Sequence, residues 1–315
     1  MLAEQLQKWY AQIAIILGTL FLFIITKNIF FGIMIVLEII IFVGLEVRQG
    51  ATKHGWKNEI VDTLIAFGVA LGFWIFLCIV LQTSSPISAV VSCSMLPNLE
   101  RGDFVIVQGS QINAEEITMT KTEFEEFSKT TVLVNNGVKL NGSLYANCFG
   151  LSPKGELLIS VNKTCQDFYN NPSNYHEQKG PVTIYYSSCN LKTAEGSIKA
   201  PCVKEYGFKG KKYPINHDGD ITVYQPSKED IYSKIGDIVH RTQFIINVEG
   251  EKYYVTKGDN NQIFDVQMYA YGMGNTPAKT LKGKVLFRIP YLGYLKLFIS
   301  GLFFEDGQCK TLLGN

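Results

Sequence analysis

Between Trp9 and Leu81 the chain is almost continuously apolar, and beyond Gln82 that density falls to the level of a water-soluble protein. A helix of about 20 apolar residues crosses the roughly 30 Å hydrocarbon layer of a bilayer. Three stretches fit: Trp9 to Thr26, Ile29 to Leu45, and Ile60 to Leu81. Lys27-Asn28 separates the first two, which read as a hairpin. The run is too long, and too closely followed by further spans, for a cleavable signal peptide. Arg48, Lys53 and Lys57 lie between the second and third spans and Lys8 precedes the first, against Lys27 alone in the opposite loop. Lysine and arginine collect on the cytoplasmic side. The chain therefore reads as a multi-pass membrane protein whose residues after Gln82 lie on the extracytoplasmic face of a cell membrane or an endoplasmic-reticulum-type membrane.

With 315 residues there is room for more than one folded unit, and a net charge of +1 without a basic stripe argues against nucleic acid as the partner. Membrane lipids are the partner that the apolar spans imply. Of seven cysteines, Cys78 falls in the third span, Cys93 stands beside a candidate nucleophile, and Cys309 is in the tail. Cys148, Cys165, Cys189 and Cys202 cluster, which in an exported segment suggests two disulfides with three pairings open. No C-x-x-C spacing occurs, so no metal is expected, and no cofactor is implied. Asn141-Gly142-Ser143 and Asn162-Lys163-Thr164 are glycosylation sequons that lend the topology slight support.

Gly102-Asp103, Gly219-Asp220 and Gly236-Asp237 each open an apolar, β-branched run, the pattern of a turn into a strand. Phe244–Val248 and Tyr253–Thr256 flank Glu249-Gly250-Glu251 as a hairpin. The fold class is thus N-terminal transmembrane α-helices followed by a mainly β catalytic domain with a large insertion. The expected divisions are 1–59 (hairpin and cytoplasmic loop), 60–83 (third helix), 84–109 plus 219–291 (β domain), 110–218 (inserted module) and 292–315 (apolar tail). The tail either lies in the membrane interface or packs on the β domain.

Twelve residues separate Leu81 from Ser94, which is therefore at most ~40 Å from the end of the third span. A serine nucleophile needs a base within hydrogen-bond reach. Of four histidines, His54 is in the cytoplasmic loop, and His176 and His217 lie in or beside the insertion. His240 ends a strand of the β domain and is the base by elimination. Asp259 and Asp265 follow the Tyr253–Thr256 strand; either one suits the role of orienting the imidazole, with Asp265 preferred. The Ser94 N–H and the Ser92 hydroxyl are the oxyanion candidates. Lys257 is a rival base, disfavoured because it reads as lying in a polar turn, whereas a lysine base must be buried. Cys93 reads as a small buried neighbour in preference to a second nucleophile, and Glu38, inside the second span, as a group that pairs across helices or lies near a helix end.

Ser92-x-Ser94-Met95-x-Pro97 with Arg101-Gly102-Asp103, Gly236-Asp237-Ile238-Val239-His240-Arg241, and Thr256-Lys257-Gly258-Asp259-Asn260-Asn261 with Asp265 resemble the boxes of type I signal peptidases. Gly283-Lys284-Val285 through Pro290-Tyr291-Leu292-Gly293-Tyr294 is similar to the last box. The match is to the archaeal and endoplasmic-reticulum branch, in which histidine replaces the lysine base of the bacterial enzymes, and it covers roughly a third of the chain. The resemblance implies a membrane-bound serine endopeptidase that removes signal peptides from exported preproteins. It implies Ser94 as nucleophile, His240 as base, and Asp259 and Asp265 as supporting acids, with accessory subunits left open. Cys93 where the family has glycine, two extra spans, and the insertion of about a hundred residues depart from the pattern. They keep open a peptidase dedicated to one class of surface precursor, or a catalytically silent membrane scaffold.

Overall fold

The computed structural model describes residues 8–135, 137–151, 157–193, 195–226, 236–268, 277–305 and 307–314. Helices α1 (Trp9–Thr26), α2 (Ile29–His54) and α3 (Trp56–Val80) precede strands β1 (Ile87–Ala89), β2 (Phe104–Gln108) and β3 (Glu115–Thr118). Helix α4 (Lys121–Ser128), β4 (Thr131–Val134), β5 (Val138–Asn141) and α5 (Leu144–Cys148) follow. Then come β6 (Phe149–Leu151), β7 (Leu157–Ile159), α6 (Lys163–Asn170), β8 (His176–Lys179), β9 (Val182–Thr193), β10 (Gly196–Phe208) and β11 (Lys211–Pro214). The chain closes with β12 (Ile221–Tyr224), β13 (Ile238–Val248), β14 (Glu251–Lys257), β15 (Leu281–Ile289), α7 (Gly293–Ile299) and β16 (Leu312–Gly314).

Two units are built from these elements. The first holds the chain up to Val91, Arg101–Ile106 and Arg288–Phe304. Its three long helices are apolar enough to cross a membrane, and no residue of α3 is buried. Apolar side chains left bare all round a helix are stable against lipid and not against water. The protein is membrane-anchored. Asn28 caps α2 by accepting from the Phe30 N–H, so the hairpin turns where the apolar run is interrupted. The Thr19 hydroxyl donates to Glu38 at 2.8 Å, pairing that carboxyl across the α1–α2 contact. A small core of Leu20, Phe23, Ile35, Ala89, Tyr294, Leu297 and Phe298 joins the hairpin to β1 and α7. Gly102 has φ +92°, and a Cβ there would stand 2.2 Å from the Tyr294 ring, so the first Gly-Asp turn admits glycine alone.

The second unit holds Ser92–Glu100, Val107–Phe287 and the chain from Glu305 onward. One sheet runs β15-β12-β13-β14, with β3 laid parallel to β13. A second runs β11-β10-β9-β8-β4-β5, with β16 also paired to β9, beyond the stretch that pairs with β8. Ile117, Phe127, Phe168, Ile184 and Tyr206 from the 110–218 stretch share one core with Phe244, Val255 and Phe264. That stretch is therefore not walled off: it lends β3 to the first sheet and buries its apolar face against it.

Each of the three Gly-Asp aspartates pairs with a basic residue of β15. In the first unit Arg288 pairs with Asp103 at 2.9 Å. In the second, Lys284 pairs with Asp220 at 3.2 Å and Lys282 with Asp237 at 2.8 Å. Their role is to hold turns.

Candidate active site

The site lies within the second unit, on three strands and two loops. Antiparallel pairing sets Thr222 of β12 opposite His240 of β13, and the Thr222 hydroxyl donates to the His240 carbonyl at 3.1 Å. Along a strand, neighbours point to opposite faces. His240 accordingly turns one way and Arg241 the other.

His240 is buried. Its Nε2 stands 2.8 Å from the Ser94 hydroxyl, and its Nδ1 stands 2.6 Å from Oδ2 of Asp265. A carboxylate only accepts, so Nδ1 carries the proton and Nε2 is left to accept from the serine. The same Oδ2 accepts from the hydroxyls of Thr256 at 2.6 Å and Tyr224 at 3.0 Å, which pin the carboxylate. Ser94 is 8% exposed. The Ser92 hydroxyl is 3.1 Å from that of Ser94.

Asp259 has a different partner. Both its oxygens receive Arg241, from Nε and Nη2 at 2.8 Å each, and Asn98 donates to it at 2.7 Å. A forked guanidinium on a carboxylate is a rigid brace. Asp259 therefore ties the loop before Arg101 to β13, while Asp265 meets the imidazole.

The turn carrying Asp259 docks directly on the backbone of Ser94. The Asn260 N–H donates to the Ser94 carbonyl at 2.7 Å. A Cβ on Gly258 would lie 2.6 Å from that same carbonyl oxygen, so only glycine allows the approach. Lys257, read from the sequence as a polar-turn residue, is the last residue of β14 and is buried, with its ammonium donating to the Gly258 carbonyl at 3.1 Å. Burial brings its pKa down to about 8, against the pull of Asp259 and Asp265. The Ser94 hydroxyl meets His240 and not this lysine.

Cysteines give the other difference from the sequence reading. Cys148 bonds to Cys165 and Cys189 to Cys202, one of the three open pairings. Cys93 is bonded to Cys309, so it offers no thiol as a nucleophile. With Cys78 left free in a span, the other six cysteines form three bonds, an even count that is compatible with this pair but does not single it out. Among the described residues no cluster of side chains suits a metal ion.

A hydroxyl, an imidazole and a carboxylate in series, carried by a β unit with apolar spanning helices before it, describe a membrane-anchored protein with the geometry serine hydrolases use. Comparison of the sequence with known proteins gives the particular resemblance. Over 95 residues the chain is 34% identical to the signal peptidase complex catalytic subunit SEC11 of Chaetomium globosum, covering 30% of this chain and 50% of that one. It is 36% identical over 100 residues to the subunit of the same name from Schizophyllum commune, covering 27% and 49%. With that of Verticillium alfalfae it shares 32% over 95 residues, again 30% and 50%. The chain spans about half the length of the curated relatives it matches. No family model matches it. It resembles the catalytic subunits of endoplasmic-reticulum-type signal peptidases.

Proposed function

We propose that the protein is a serine endopeptidase that removes signal peptides from exported preproteins at a membrane surface. The observation that carries this reading is the unbroken Ser94–His240–Asp265 series, at 2.8 and 2.6 Å. Ser94 attacks the carbonyl of the residue before the cut as His240 Nε2 takes its proton. Asp265 holds the imidazole tautomer and steadies the imidazolium. His240 then protonates the leaving amine, and a water activated by the same nitrogen releases the acyl group. The Ser94 N–H and the Ser92 hydroxyl receive the developing oxyanion. Asp259 acts through Arg241 and Asn98 as a brace.

The compartment fits. Three disulfides follow the third span among the described residues, as in a segment delivered to an oxidising space. This supports catalysis on the extracytoplasmic side of a cell or endoplasmic-reticulum-type membrane. The substrate is a membrane-inserted preprotein, bound extended along a strand edge. The relatives are named as subunits of a complex, which supports accessory subunits here.

The test is cleavage of a panel of preproteins in liposomes by the intact protein, with Ser94→Ala as control. Cleavage after a small residue, lost in the variant, is expected. Well-folded protein that cuts none of them, and whose Ser94 takes no acylating inhibitor, would leave only the scaffold reading. Cleavage confined to one surface precursor would favour the dedicated peptidase. Burial of Lys257 gives a second reading of the base one supporting observation. Lys257→Met is expected to keep cleavage and His240→Ala to lose it; the reverse would move the base role to the lysine.

A further inference from the structure

Residues 307–314 are tied to the loop that carries Ser94. Thr311 is buried, β16 pairs with β9 (Leu313 opposite Leu191), and Cys309 is bonded to Cys93, the residue before the nucleophile. One side chain gathers this strap. The Asn260 amide donates to the Cys93 carbonyl at 3.1 Å and to the Thr311 carbonyl at 2.9 Å, and its oxygen accepts from the Leu313 N–H at 2.7 Å. Next to it, Gln308 donates to the Asn261 side chain at 2.5 Å.

We infer that residues 307–314, stapled through Cys93–Cys309 and threaded by Asn260, form a positioning strap that sets the direction of the Ser94 N–H. The Cys93 carbonyl and the Ser94 N–H belong to one planar peptide group, and in a trans peptide they point in opposite directions. Holding the carbonyl from behind aims the N–H forward. The Ser94 carbonyl is held as well, by the Asn260 N–H, so one residue grips the peptide groups on both sides of the nucleophile. Among the described residues the Ser94 N–H itself has no acceptor, which leaves it for a ligand. The inference rests on the proposed peptidase reading, in which that N–H meets the oxyanion. Asn260, Cys93 and Cys309 are positioning residues: they touch the nucleophile's backbone and not the substrate.

Removing one oxyanion donor outright slows acyl transfer roughly 100- to 1,000-fold, so misaiming one costs less. Asn260→Asp keeps the size but removes the amide donor facing two carbonyls; kcat is expected to fall roughly 10- to 100-fold with KM within about threefold. The Cys93→Ala/Cys309→Ala pair, which keeps every hydrogen bond of the strap, is expected to fall roughly 3- to 10-fold by the same argument. The Cys189→Ala/Cys202→Ala pair, whose disulfide joins β9 to β10, is the control for loss of a disulfide. The readout that a merely structural role would not move is a peptide aldehyde, which forms a tetrahedral oxyanion adduct on Ser94. Its affinity should fall in proportion to kcat/KM in both strap variants, while ground-state peptide affinity holds. Melting curves identify a variant that does not fold. If Asn260→Asp is one, the Cys93/Cys309 pair decides alone; if that pair also fails, aldehyde affinity of wild-type protein before and after alkylation of the reduced Cys309 decides. Unchanged kcat and aldehyde affinity in the folded variants would overturn the strap, whereas wild-type protein that neither cleaves nor binds the aldehyde would overturn the peptidase reading beneath it.

Discussion

Two buried polar networks leave opposite ends of one short 3-10 turn, Asp265–Gln267. From Asp265 one runs through His240 to Ser94 and its neighbour Ser92. From Gln267 the other runs to Glu177, which is fully buried, accepts the Gln267 amide at 2.6 Å and accepts the Leu144 N–H at 2.9 Å. Tyr186 and the Ser143 hydroxyl close the second network around the same glutamine. Burial pushes the Glu177 carboxyl above the usual range, and the bonds it accepts pull it back. Both networks hold acids away from water. Only the first ends on a hydroxyl with an imidazole behind it, and on the proposed reading that terminal group separates a site from a fastening.

The sharpest break between them is Asp265→Asn. An asparagine that presents its amide to Nδ1 favours the wrong tautomer, and kcat/KM is expected to fall about 1,000- to 10,000-fold with the fold intact. Asp259→Asn leaves the imidazole alone and weakens the Arg241 brace; a loss of about 10-fold or less is expected, since that effect reaches Ser94 through the loop. Steady-state cleavage by the two variants measures the separation directly. Equal losses would mean that the two aspartates share one role. On the other network, Glu177→Leu strands the Leu144 and Gln267 donors at about 1–3 kcal/mol each. Its melting temperature is expected to drop by several degrees while kcat/KM stays within a few-fold. A collapse of kcat/KM in folded Glu177→Leu protein would join the networks into one.

How much of this was legible in the sequence depends on the range of the contact. The spans were, because lipid imposes a length and a polarity that one pass along the chain can read. Even so, α2 continues to His54 and α3 begins at Trp56, so a single residue, Gly55, remains where a longer loop was expected. The strands after each Gly-Asp were legible from turn chemistry, and the resemblance of the ordered boxes supplied the site candidates. Which aspartate meets His240 was half-legible: strand alternation already puts His240 and Arg241 on opposite faces, and an arginine there calls for its own acid. The burial of Lys257 was not, since Asn190, His217 and Leu313, which line one cavity with it, are distant in the chain. The strap was hidden for the same reason. Cys93 and Cys309 are 216 residues apart, and no local pattern pairs them.

The smallest expected effect tests whether the second network is purely structural. Lys179, beside Glu177 on β8, is buried with its ammonium donating to the Lys129 carbonyl at 2.6 Å, and burial brings its pKa down to about 8. Below pH 8 the folded and unfolded chains both carry this proton, and the cost of the buried charge is borne in full. Between about 8 and 10.5 the unfolded chain holds more protons, so this residue makes the fold gain stability as the pH rises. The gain is at most on the order of 3 kcal/mol, from about 1.4 kcal/mol per pH unit. Buried Lys257 contributes a slope of the same sign in the same window, so the wild-type rise is the sum of two. Lys179→Met should remove one part of it, raise the melting temperature at pH 7 by a few degrees, and leave the pH dependence of cleavage untouched. Melting curves at pH 7, 8.5 and 10 check the slope, and a pH–rate profile checks the chemistry. A profile that moved with Lys179 would show a proton of the second network felt at Ser94, and the Asp265–Gln267 turn would then be a conduit between them.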